Sequence, residues 1–324
     1  MKPAPAAAAL LAAATLAAAP AVLPGCALEG SGAGSASLRR AEQLRAMGVA
    51  DRALAEFERA IAENPRLTVA YLGAADIYRQ RGEFGLAEQR YRTATRLEPD
   101  NFDAQYAHGL VLQLLDRVAE AVRSYLSALA IKPDDFEANL NIATAYLQLG
   151  EPEQARLYAE RAVRLDGASG PARANLGSVY AALGDHDAAV VEYQQAAELM
   201  TLSPELLLNL ADSLGKSGRH AEAAATLEQL IRIRPGPVAH ERRGAALFKL
   251  RRYDEALRAF RAAAELDPRH FPAWNGIGVS LLNRYLWSDQ TDDDALAGAL
   301  EALRRSLRIE PNQPRIIELL RRYG

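Results

Sequence analysis

At 324 residues, with 24% of them charged and a formal net charge of −3, the chain lacks the net basic stripe that a nucleic-acid surface requires, so no nucleic-acid partner is expected. Its one cysteine excludes an internal disulfide and any cysteine-built metal cage. Length alone suggests two domains, but the repetition described below removes that inference, because a stacked-repeat chain is quasi-one-dimensional.

Residues 1–25 read as an export signal, with Lys2 as a minimal positive n-region and Ala6 to Val22 as an alanine- and leucine-rich apolar segment. A membrane-spanning helix is the competing reading. The stretch is short, poor in large aliphatics and interrupted by Pro20. Leu23-Pro24-Gly25-Cys26 follows and resembles the bacterial lipobox, with Pro24 a less usual occupant of its place. The resemblance implies cleavage before Cys26 and acylation of that residue, whose several chains together give stable anchoring. The alternative is an ordinary secretory signal in which Cys26 is incidental. On the lipobox reading, residues 26–36 are the lipidated cysteine and a Gly/Ser/Ala-rich tether of roughly 20 Å r.m.s. length. Ala27 is not the aspartate that retains such lipoproteins in the inner membrane of enteric bacteria. By that resemblance the protein is expected in the cell envelope, anchored to the outer membrane and facing the periplasm.

From residue 34 the chain repeats. Alanine recurs at Ala53, Ala87, Ala121, Ala155, Ala189, Ala223, Ala256 and Ala299, the first six each 34 residues apart. A fixed period in the 20–50 range marks a solenoid whose units bury their apolar faces against one another. With Thr68 as the start of a unit, small residues occupy the eighth position, from Ala41, Ala75 and Gly109 to Gly244 and Gly278. Glycine stands at the fifteenth (Gly48, Gly82, Gly150, Gly184, Gly218), where it ends a first helix. Glu83, Glu151 and Asp185 are expected in the first turn of the second helix, where the dipole favours anions. Rings at the twenty-fourth position (Phe57, Tyr91, Tyr125, Tyr193, Phe260) fill the space between units, beside a second alanine at the twenty-seventh. Proline closes most units, with Gly167 and Thr201 in its place in two of them.

This pattern resembles the tetratricopeptide repeat family over residues 34–311, as about eight units. The resemblance implies an all-α solenoid of helix-turn-helix units, wound as a right-handed superhelix with first helices lining an inner groove. Residues 312–324 follow, with Ile316, Leu319, Leu320 and Tyr323 on one face, as a C-terminal capping helix requires.

The groove is the expected site for a protein or extended peptide. Asn141, Asn175 and Asn209 recur at 34-residue spacing in the sixth position. In the family such a ladder grips peptide backbone, an amide being both donor and acceptor; asparagine as a common surface residue is the alternative. Tyr106, Leu110, Leu140, Thr144, Gln148, Ser178, Leu208, Asp212 and Lys216 would complete the lining. No unit pairs lysine with asparagine at positions five and nine as the family's carboxylate clamp does.

His186 and His220 read as packing residues at the start of second helices, and His108, His240 and His270 fall at unrelated phases without a cysteine or carboxylate partner set. No phosphate loop, dinucleotide glycines, nucleophile elbow or zinc spacing is found, so the expectation is no enzyme, metal, cofactor or small-molecule substrate. The last unit carries an insertion around residues 285–294. Trp287 beside Tyr285 is either an exposed interface anchor or folds back on its own repeat, with Asp292 to Asp294 capping the next helix. The late arginines (Arg304, Arg305, Arg308, Arg315, Arg321, Arg322) suit helix C-termini or, alternatively, an anionic partner. The functional expectation is a non-enzymatic, lipid-anchored envelope adaptor. A self-assembling envelope component and the regulatory module of a secretion, pilus or glycosyltransferase system are the alternatives.

Overall fold

The computed structural model describes residues 33–324, so Cys26 and the export signal lie outside the described residues. Seventeen α-helices and no strand occupy the described part. They are grouped in two compact units, the first ending at Leu183 and the second running Gly184–Gly324. The first holds α1 (Ser35–Ala46), α2 (Ala50–Glu63), α3 (Thr68–Gln80), α4 (Phe84–Leu97) and α5 (Phe102–Leu114). It continues with α6 (Val118–Ile131), α7 (Phe136–Gln148), α8 (Pro152–Leu165) and α9 (Gly170–Leu183). The second holds α10 (His186–Leu199), α11 (Pro204–Lys216), α12 (His220–Ile233) and α13 (Pro237–Lys249). After these come α14 (Tyr253–Leu266), α15 (Phe271–Trp287), α16 (Asp293–Ile309) and α17 (Pro314–Tyr323). Inside each unit every helix packs on the next in chain order, and first helices of consecutive repeats also touch, α5 on α7, α7 on α9 and α13 on α15.

The periodic small residues are the points of closest approach. Ala53, Ala87, Ala121, Ala155 and Ala189 are fully buried, as are Ala60, Ala94, Ala128, Ala162 and Ala196. Each ring at the twenty-fourth position then closes a joint. A Cβ placed on Gly109 would stand 2.6 Å from the Tyr125 ring, so only glycine fits beneath it. The Phe57 ring occupies the space over Gly73 of the following repeat, and Phe260 lies over both Gly244 of its own repeat and Gly276 of the next. Burying such a ring stabilises the joint by roughly 1.5–3 kcal/mol.

The turns inside the hairpins share one conformation even where glycine is missing. Gly48 (φ 74°) donates its amide to Arg45 O while Val49 donates to Leu44 O, a Schellman ending. Asp116 (φ 58°) and Arg251 (φ 61°) adopt the same left-handed backbone in two of the three repeats that lack the glycine. Their N–H groups make the equivalent bonds, to Gln113 O and Phe248 O. Tertiary packing therefore overrides a local cost of about 1–2 kcal/mol at each.

Glu83, Glu151 and Asp185 stand one residue before the first turn, as N-caps, which corrects the sequence-based placement. Of these, Asp185 caps with its side chain, accepting the Ala188 amide at 3.1 Å. Where Gly167 replaces the closing proline, the Asx turn seen at Asn64 and Asp267 is kept, Asp166 Oδ1 accepting the Ala168 N–H at 3.0 Å. At the C-terminus α17 packs on α16 through the buried Ile316. No helix among the described residues is long and apolar enough to cross a membrane.

Candidate functional site

In the first unit the predicted groove residues fall on α5, α7 and α9, and hydrogen bonds join these helices like rungs. Asn141 Nδ2 donates to Tyr106 Oη of the preceding repeat at 2.8 Å. Asn175 Nδ2 donates to Thr144 Oγ1 at 2.8 Å, and Gln113 Nε2 donates to Gln148 Oε1 at 2.9 Å. One amide hydrogen of each asparagine is thus committed to holding first helices together. The Asn175 Oδ1 atom is buried with no hydrogen-bond donor among the described residues. Tyr106 is fixed by stacking on Phe102 (centroids 5.8 Å apart) and by Tyr125 at 6.0 Å, and burial pushes its hydroxyl pKa upward. Leu110 and Leu140 are half-buried beside these polar groups, while Ser178 is buried and turns its hydroxyl back to Ala174 O at 3.0 Å.

In the second unit Leu208 and Asn209 are half-buried on α11 and Lys216 is exposed. Asp212 pairs with Arg242 of α13. That bridge links consecutive first helices, and its sequence signal was an acid and a base 30 residues apart. Between α13 and α15 lies a shallow pocket of about 350 Å³, lined among others by Glu241, Phe248, Pro272, Asn275 and Val279. Sequence reasoning missed it, because it is built from positions in two repeats that differ from their counterparts elsewhere.

The insertion near residue 285 mainly lengthens the two flanking helices: α15 and α16 each run 17 residues, where α13 and α14 have 13 and 14. Asp292 caps α16, its Oδ1 accepting the Ala295 amide at 2.9 Å, and its other oxygen takes Arg284 Nε at 2.9 Å. Trp287 is 70% exposed, and its ring meets Tyr253 of the preceding repeat edge-on at 5.7 Å. Tyr253 in turn meets Phe248 at 5.0 Å, and Tyr285 is half-buried. Trp287 therefore does not fold into its own hairpin.

His108 departs from its expected isolation. Its Nδ1 lies 3.2 Å from Ser124 Oγ on α6, and its Nε2 lies 3.6 Å from Glu88 Oε1 on α4, itself held by Arg117 Nη1 at 3.2 Å. The partners sit on neighbouring helices, 16 and 20 residues away in the chain, which the repeat phase did not reveal. Ser124 lies mid-helix, where backbone N–H groups are spent on carbonyls four residues back, so the trio has no donor pair for an oxyanion. Desolvation holds the His108 pKa below the ordinary value, with Arg117 and Arg92 adding to the effect and Glu88 opposing it. The unfolded chain thus binds the extra proton more readily, so this stability is full above about pH 6.5 and lost as pH falls through that value. Urea unfolding between pH 7.5 and 5 should show a shallower acid loss for His108→Asn than for the native chain. Identical slopes would mean that the histidine titrates as it does in water.

The tetratricopeptide repeat family model matches residues 140–205, 208–268 and 241–314, and a further model of the same repeat matches 75–116. No curated protein matches the chain. Among solved structures, YrrB, described as a TPR protein with an unusual peptide-binding site, is 23% identical with a TM-score of 0.51. That match covers 61% of this chain and 98% of YrrB. A tetratricopeptide repeat protein from Parabacteroides merdae is 17% identical at TM-score 0.54, over 76% of this chain and 98% of its own. Pseudomonas aeruginosa PilF is 21% identical at TM-score 0.53, over 64% and 94% respectively. These likenesses concern the fold.

Proposed function

The chain belongs to the tetratricopeptide repeat family and is a protein–protein interaction scaffold, and from that premise we propose that it holds an extended polypeptide on its first-helix face at the bacterial cell envelope. The observation that carries the binding reading is the row of rungs on α5, α7 and α9. It sets amide, hydroxyl and half-buried apolar groups at repeat spacing along one row of helices. An amide that has spent one hydrogen on its neighbour keeps a second hydrogen for a peptide backbone. YrrB, with a similar fold, is described as having a peptide-binding site. The envelope part of the reading rests on residues 1–26, through acylation at Cys26 and a tether to the first helix. No catalytic role is part of it.

Crosslinking and pull-down from the envelope fraction, with the full chain as bait, tests both parts. Combined Asn141→Ala, Asn175→Ala and Asn209→Ala substitutions remove several hydrogen bonds of about 0.5–1.5 kcal/mol each, so partner capture should drop at least tenfold with helicity retained. Undiminished capture would discard the groove. The mature bait should begin at Cys26 with the added mass of acyl chains; an uncut or unacylated N-terminus would remove the anchor.

A further inference from the structure

We propose that the pocket between α13 and α15 is a subsite for one basic side chain, lysine or arginine, of the bound polypeptide. The inference rests on the scaffold reading above and names a feature of the partner.

The pocket presents acceptors without donors at one end. Glu241 on α13 and Asn275 on α15 both line it. The cations next to Glu241 in the chain are engaged elsewhere, Arg242 with Asp212 and Arg243 with Glu228 at 3.3 Å. Burial pushes the Glu241 carboxyl above the ordinary carboxylate range, with no cation offsetting it. Asn275 uses its Nδ2 on Gln313 Oε1 at 2.7 Å, which turns its oxygen away from that bond. That oxygen is buried with no donor among the described residues. A half-buried carboxylate and a buried amide oxygen are each costly without a donor. A ligand ammonium or guanidinium supplies the charge and the hydrogens to the Glu241 carboxylate.

The walls suit the stem of such a side chain. Phe248, Pro272 and Val279 give an apolar lining against which methylenes pack while the charged head reaches the acceptors. Lys249 also borders the pocket, eight residues beyond Glu241 and so about 12 Å farther along the helix axis. Its charge opposes a second cation at that end, so the site takes a single basic residue in one orientation. From Phe248 a row of rings leads through Tyr253 to the exposed Trp287. A bulky apolar residue adjacent to the basic one would find its contact there.

The test uses the full chain and a fluorescein-labelled decapeptide with one lysine beside one phenylalanine in a glycine–serine background, followed by anisotropy. A sibling peptide carries norleucine in place of lysine. The lysine peptide should bind the native chain at least tenfold more tightly than its sibling, and Glu241→Gln should abolish that preference. Trp287→Ala should weaken both peptides equally. Equal affinity of the two peptides, no binding of either, or a preference that survives Glu241→Gln would each overturn the subsite. Glu241→Gln can also be carried through the envelope pull-down. Capture lost with the asparagine variants yet intact with Glu241→Gln would remove the subsite and leave the groove standing.

Discussion

Replacing Tyr125 with alanine should lower the unfolding free energy by about 3–5 kcal/mol, the usual cost of deleting a fully buried ring. The residue lies on α6 with its ring over Gly109 and against Tyr106, in a core shared with Leu112, Val122, Ile142 and Ala145. Its hydroxyl donates to Gln113 Oε1 at 2.9 Å, and the same glutamine reaches across to Gln148 of the next repeat. One side chain therefore closes its own hairpin and steadies the amide that joins α5 to α7. Tyr125→Phe separates these roles, because it keeps the ring and loses one hydrogen bond worth about 0.5–1.5 kcal/mol. Hydrogen exchange should show faster opening of α5 to α7 in the alanine variant, while α1 and α2 keep their protection, since stability in stacked repeats is local. A loss below 1 kcal/mol for Tyr125→Ala would show that the joint is held by something else.

The second large effect is expected at a tightly packed helix contact. Ala87 on α4 is fully buried against Ala75, Tyr91 and Val111, so its neighbours leave no room for a longer side chain. Ala87→Phe should overpack this contact and cost about 1–3 kcal/mol. Gln89→Phe, two residues on at an exposed site of the same helix, is the control and should leave the melting temperature within a degree or two. Equal melting of the native chain and Ala87→Phe would mean that the alanine phase does not mark the crossing.

Much of the fold could be read from phase. Thr68, Phe102, Phe136, Gly170 and Pro204 each open a first helix at the place the period assigns to them. Small residues must recur where helices cross, and rings must recur where hairpins meet, so both leave a periodic trace. What was illegible has no period. Asp116 and Arg251 hold the glycine position of the period, yet without glycine the residue type does not show that packing imposes a left-handed backbone there. The surplus near residue 285 was legible as an insertion but not as an extension of two helices, since adding turns to existing helices is cheaper than ordering a free loop. The site was less legible than the fold. Recurrence marked Asn141 and Asn175, yet not that their amides would bond Tyr106 and Thr144. Glu88 with His108, and Glu241 with Asn275, are one-off juxtapositions across helices, visible once the chain is folded.

The forward placement of the ring sockets bears on how such a chain changes length over evolutionary time. Phe57 seats on Gly73 and Phe260 on Gly276, in both cases 16 residues downstream. A duplication or excision of one whole period keeps the sixteen-residue step from ring to socket position, held elsewhere by Ala107, Asn141 and Asn209, whereas a cut of any other size breaks that step. Reach can therefore grow or shrink in quanta of a single hairpin. The oversized α15–α16 pair obeys the same constraint, because its surplus is spent at the hairpin tip and the seam between Phe260 and Gly276 keeps its spacing.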